Sequence, residues 1–224
     1  MSIQREQILN CARDLYLDEG MEGLSMRKLA DCVGCTAPAI YRHYANKEEV
    51  MQDLVGEAYR LFAEYLYRSL EAPTPLERFL RAGRSYVDFA LEQPALYEII
   101  YVPTDVLGVT SHTAAVGDRL CAIGQFWSDR VREMTDAGLL KEGDPYAISL
   151  TLWAHAHGLV SIYHRDLLPM ETSEEFRDAV AGSFFRMMEG VGTSEFREEM
   201  EKRKATGETE EESGLVAGTR ERES

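Results

Sequence analysis

The 224-residue sequence predicts an all-α protein in two parts: a three-helix unit of helix-turn-helix type over residues 1–50 and a larger helical body over 51–193. Three observations carry that prediction. Apolar residues recur at the spacing of a buried helix face almost to residue 190, with no alternating strand pattern. Helix-start and helix-stop signals punctuate the run. Finally, Ser-Met-Arg-Lys-Leu-Ala-Asp-Cys-Val-Gly-Cys-Thr-Ala-Pro-Ala-Ile-Tyr-Arg-His-Tyr-Ala-Asn-Lys, residues 25–47, reads as two short helices joined by a glycine turn.

Taken in order, Ile8, Leu9, Ala12, Leu15 and Tyr16 share one face, so residues 4–19 form an amphipathic helix stopped by Gly20. Met26, Leu29, Ala30 and Val33 line the next helix. Gly34 can take the positive φ that ends it, and Thr36 can cap a third helix that tolerates Pro38 in its first turn. There Ile40 and Tyr44 pack inward one turn apart, which turns Ala37, Tyr41 and Arg42 outward with His43 beside them. Asn46 with Glu49 caps a long helix over 47–70, whose stripe is Val50, Leu54, Ala58, Leu61 and Tyr65. Thr74-Pro75-Leu76-Glu77 is a capping box, Pro94 opens a short helix ending before Pro103, and a helix over 112–137 stops at Gly138. Asp144-Pro145 and Thr172-x-x-Glu175 open the last two core helices, and residues 104–111 read as a flexible loop.

A small, partly basic, aromatic-bearing helix face of this kind is what enters a DNA major groove. Residues 5–50 also resemble the amino-terminal domain of the tetracycline-repressor (TetR) family. The matching pattern is Arg5, Ile8-Leu9, Ala12, Leu15-Tyr16, Glu19-Gly20, Leu24 to Ala30, Val33-Gly34, Thr36, Pro38 to Tyr44 and Lys47-Glu48. Cys32, Cys35 and Tyr44 depart from it. The resemblance implies that Arg27, Ala37, Pro38 and Ala39 face base edges, while Thr36, Tyr41, His43 and Lys47 hold phosphates. With the outward-facing Arg42, these are the candidate DNA-binding residues.

In the body, aromatic stripes run along three helices: Phe79, Gly83, Tyr86 and Ala90; Leu120, Ile123, Trp127, Val131 and Met134; and Trp153, His157, Val160 and His164. Such stripes either pack as core or converge on a cavity for a small molecule. For the second case the candidate lining is Tyr86, Tyr97, Phe126, Trp127, Trp153 and His157. An acidic body with an aromatic cavity favours a hydrophobic or cationic effector. Ala154, Gly158 and Ser161 form a small-residue strip that another helix backbone could approach closely. With Val180 and Phe184 of the last core helix they are the candidate dimer interface. Trp153-x-x-x-His157-Gly158 resembles a TetR subgroup named for Trp, His and Gly. Residues 194–224 change to Glu, Arg, Lys, Thr and Gly, and read as a charged, solvated tail that extends as a helix over 194–204 and is disordered beyond.

Net charge is −15, yet Arg27, Lys28, Arg42 and Lys47 cluster on the groove-reading side, a basic patch on an acidic body. No apolar run approaches the roughly 18 residues of a membrane span and no signal-peptide core is visible, which points to the cytoplasm and no membrane partner. Cysteines 11, 32, 35 and 121 do not read as a disulfide framework, and Cys32-x-x-Cys35 lacks two further ligands for a metal. No cofactor is expected. No nucleophile with a base, phosphate loop or metal set argues for an enzyme. The expectation is a homodimeric, effector-responsive regulator of a near-palindromic double-stranded DNA operator, a repressor by the resemblance. The alternative is a helical protein-interaction module without sequence-specific DNA binding.

Overall fold

The computed structural model describes residues 5–101 and 114–206, the side chains of 114–120 excepted. The loop expected at 104–111, the stripe residue Leu120 and the tail beyond 206 lie outside the described residues. Among the described residues ten α-helices follow one another: α1 Arg5–Gly23, α2 Met26–Val33, α3 Ala37–Ile40, α4 Lys47–Tyr67, α5 Pro75–Glu92, α6 Pro94–Tyr101, α7 Ala114–Asp136, α8 Pro145–Tyr163, α9 Ser173–Val191 and α10 Ser194–Thr206, with a short 3₁₀ turn at Arg68–Glu71. No strand occurs among the described residues; Leu140 and Gly192 make an isolated bridge.

The start signals act as the sequence reads. Asn46 accepts from the Glu49 amide at 2.8 Å, Thr74 and Thr172 form complete capping boxes with Glu77 and Glu175, and Asp144 accepts from the Tyr146 amide at 3.1 Å. Gly34, at φ +74°, ends α2 in the left-handed region, where a side chain would be strained. Two details differ. Thr36 occupies the cap position of α3 without a side-chain cap bond, and α3 is regular only over Ala37–Ile40 before continuing as turns through His43.

α4 is the central strut, touching α1, α5, α6 and α7. Ile8, Leu29, Ile40, Val50 and Met51, all fully buried, close the amino-terminal unit onto its first turns. That core runs without a break into Phe62, Tyr86, Phe89 and Tyr97 of the body. A second cluster gathers Leu76, Phe79, Val131, Met134 and Met188.

Two sequence readings are corrected here. The charged helix expected over 194–204 is present as α10, but it is docked rather than solvated: Phe196 and Met200 are buried in the second cluster, and Arg203 meets Glu77 at 3.5 Å. Two large apolar side chains one turn apart suffice to dock a charged helix, the remaining charges staying in solvent. The four cysteines do not read as a disulfide framework from the sequence, whereas Cys11 of α1 and Cys32 of α2 are joined by a disulfide. Partners separated by 21 residues become visible only once α1 and α2 are packed side by side.

Candidate nucleic-acid interface and effector core

α2, the turn at Gly34 and α3 present one outer face. Arg27, Thr36, Pro38, Tyr41, Arg42 and His43 are exposed on it, Tyr41 to 54%, and Ala37 and Lys47 are half-buried. Arg27, Arg42 and Lys47 have no ion-pair partner among the described residues, so their charge is available to a ligand. Lys28, by contrast, is paired with Glu19. Ala39 departs from expectation: at 5% exposed it is too buried to meet a base edge. Two positions before Tyr41 on a helical turn, it falls on the inward side that Ile40 also occupies.

The face is held against α4 by a three-residue knot. The Tyr44 hydroxyl donates to Asp53 at 2.6 Å, and Arg5 donates to the Tyr44 oxygen at 3.0 Å and to Asp53 at 2.7 Å, its guanidinium lying 4.8 Å from the ring centre. Burial, then the carboxylate beside it, pushes the Tyr44 phenol far up, so it remains a donor. Tyr44, one of the departures from the pattern that residues 5–50 resemble, thus has a physical use.

In the body the candidate lining is brought together. Tyr97 bonds His157 Nδ1 at 2.7 Å and Tyr86 at 2.9 Å; Trp153 stacks on the His157 ring, and its Nε1 donates to Tyr101 at 3.3 Å. Trp127 stands edge-on to Tyr86 and to Phe126. Tyr101, its ring centre 4.4 Å from that of His157, is the hub that sequence reasoning missed. The i, i+4 pair Tyr97 and Tyr101 on α6 was the available signal. Burial raises the Tyr86, Tyr97 and Tyr101 phenols and lowers the His157 and His164 imidazoles, so the cluster is neutral near pH 7. Among the described residues, Trp127 Nε1 and His164 Nε2 are buried without hydrogen-bond partners, two polar groups a ligand could satisfy. Gly83 of the first stripe is exposed, and Phe79 joins the second cluster instead.

α8 and α9 are apolar beyond what the protomer covers. Only Ser149 and Val160 are buried in α8, and only Phe176 and Met188 in α9. Leu150, Trp153, Ala154 and Ile162 are exposed; Gly158, Ser161, Val180 and Phe184 are half-buried, with Phe184 also touching Phe79.

Comparison with known proteins bears on both regions. The family model described as bacterial regulatory proteins, tetR family, matches residues 8–54, and that described as tetracyclin repressor-like, C-terminal domain, matches 79–189. Among curated proteins, the chain is 43% identical over 56 residues to the tetracycline repressor protein class C of Escherichia coli, covering 25% of each chain. It is 21% identical over 99 residues to the transcriptional repressor KstR2 of Rhodococcus jostii, covering 42% of this chain and 48% of that one. The matches therefore span a quarter to a half of these relatives' lengths. Among solved structures, the ketosteroid transcriptional regulator KstR2 of Mycobacterium tuberculosis superposes with a TM-score of 0.65 at 18% identity, covering 87% and 97% of the two chains. AibR, solved with isovaleryl coenzyme A and operator DNA, superposes with a TM-score of 0.64 at 23% identity over 80% and 96%. At these identities the structural likeness establishes the fold alone.

Proposed function

Because the chain belongs to the tetracycline-repressor family of bacterial regulators, we propose that it is a homodimeric repressor that leaves a near-palindromic operator when a small molecule enters its tyrosine-rich core. One observation carries the reading: α4 starts at Lys47, beside the free cations of the outer face, and runs into the effector core. Along it the Tyr59 hydroxyl donates to the Ile100 carbonyl at 3.2 Å, and Phe62 meets Tyr86 edge-on at 5.7 Å. A ligand that spreads α6 and α8 therefore acts on the helix whose first turn carries the recognition element. A ligand shifts the equilibrium only by its differential affinity, typically about 1–3 kcal/mol per coupled site.

The uncovered faces of α8 and α9 fit a four-helix contact with a second copy, which sets two recognition elements on successive major grooves. Neutral hydroxyls and an imidazole in an acidic chain suit a hydrophobic or cationic effector with one or two hydrogen-bonding groups. The protein then works in the cytoplasm, where its DNA is.

The test starts from a random-sequence duplex pool. The protein should select a near-palindrome, bind it in a salt-dependent manner, and release it in the presence of compounds that raise its melting temperature. Selection of no duplex would overturn the regulator reading. Operator affinity unmoved by every stabilising compound would overturn the effector reading.

A further inference from the structure

The disulfide between Cys11 and Cys32 lies within the DNA-reading unit and at its surface. Cys32 is exposed and Cys11 half-buried, with Cα atoms 6.0 Å apart. The unit does not need the bond in order to close, since Ile8, Ala12, Leu29 and Ala30 are at most 2% exposed between α1 and α2. What the bond adds is position. Cys32 stands two residues before Gly34, whose left-handed backbone sets the direction of α3. Cys35, just past that turn, is a free thiol whose sulfur lies 3.6 Å from the Thr36 carbonyl.

Disulfides of intracellular proteins are usually transient and redox-responsive. Resting on the regulator reading above, we propose that Cys11 and Cys32 form a reversible oxidation site that fixes α2 against α1, so that the disulfide form holds the operator more tightly than the dithiol form. The oxidant is a peroxide. One thiolate attacks the peroxide oxygen, releasing hydroxide that is protonated to water, and becomes a sulfenic acid. The second thiol then attacks that sulfur and expels the hydroxyl as a second water. Two thiols thereby lose two protons and two electrons, and one hydrogen peroxide becomes two waters. A small-molecule thiol reverses the bond by exchange. The cross-link removes freedom between α1 and α2 that binding to a fixed groove geometry would otherwise have to remove, and affinity rises accordingly.

The experiment compares the full-length protein after hydrogen peroxide with the same protein after dithiothreitol. Three readouts are non-reducing peptide mapping, amide hydrogen exchange over residues 5–44, and affinity for the duplex selected from the random pool. The expected result is a Cys11–Cys32 linked peptide, slower exchange and several-fold tighter binding in the peroxide-treated sample. Cys32→Ser, at an exposed position, should abolish the difference, and Cys35→Ser should keep it. Absence of the linked peptide overturns the proposal, as does equal affinity of the two forms. A linked peptide with slowed exchange, but no duplex bound by either form, upholds the oxidation site and overturns the regulator reading.

Discussion

Replacing Asp53 tests whether α4 positions the DNA-reading unit. Its carboxylate accepts from Tyr44 at 2.6 Å and from Arg5 at 2.7 Å. The two contacts differ in worth. The Arg5 side chain is 59% and the Asp53 side chain 34% exposed, so the ion pair is largely solvent-screened and contributes about 0–1 kcal/mol. Tyr44 is 2% exposed, and its hydroxyl loses a charged acceptor when Asp53 becomes Ala, a cost of about 1.5–3 kcal/mol. Tyr44→Phe removes the hydroxyl but leaves the ring packed and Arg5 beside Asp53, so it should cost about 1 kcal/mol.

For a chain of this size, 1 kcal/mol shifts the melting temperature by about 2–4 °C. Asp53→Ala, losing both contacts, should therefore melt roughly 3–16 °C below the parent and Tyr44→Phe roughly 2–4 °C below it. Operator affinity should fall in the same order, because both changes loosen the recognition element on α4. Differential scanning calorimetry and fluorescence anisotropy with the selected duplex read the two effects. An Asp53→Ala protein that melts with the parent, or a Tyr44→Phe protein less stable than Asp53→Ala, would refute the reasoning.

On the outer face, Lys47→Ala should weaken binding to all duplexes and lower the log–log salt slope by about 1 per subunit. Arg27→Ala should cost about 1–3 kcal/mol and relax preference at one half-site position, visible by repeating the selection. A Cβ at Gly158 would meet nothing within 4 Å among the described residues outside its own helix turn, so Gly158→Leu should fold normally yet sediment as a monomer; an intact dimer would move the interface elsewhere. His157 and His164 titrate below the ordinary imidazole value of 6.5 because they are buried. Below pH 6.5 the unfolded chain then binds more protons than the folded one, so stability should hold above that pH and fall as pH drops toward their lowered values. The fall should be shallower in His157→Gln, as followed by thermal melts from pH 7.5 to 5.

The helical order was legible because its signals are local. A capping box, a proline at the first helical turn or a glycine stop acts within four or five residues, and α5, α6, α8 and α9 begin where those signals stand. The outer face was legible for the same reason, apart from Ala39, whose small side chain gives no sequence sign of which way it turns. Contacts spanning tens of residues were not legible. Tyr44 with Asp53, Cys11 with Cys32, and Phe196 with the core under α5 each depend on how two helices pack, which a single sequence does not specify. The aromatic stripes lay between these cases. Periodicity placed Tyr86, Trp153 and His157 on aromatic stripes, with Tyr97 a further candidate for the lining, but only the packed helices show that their polar atoms meet.

That meeting bears on how an effector signal could travel. A core of Leu and Ile offers a ligand only area, and a ligand bound by area alone discriminates little between two helix arrangements. The chain Tyr86, Tyr97, His157, with Tyr101 and Trp153 joined to it, links α5, α6 and α8 by directional bonds of 2.7–3.3 Å. A ligand group that inserts into this chain must replace at least one of those bonds, and a hydrogen bond weakens steeply once its partners are turned aside. Discrete rearrangement of α6 against α8 is therefore favoured over a graded one. α4, packed on α6 through Tyr59 and on α5 through Phe62, is the element placed to carry that rearrangement to Lys47 and the recognition turn.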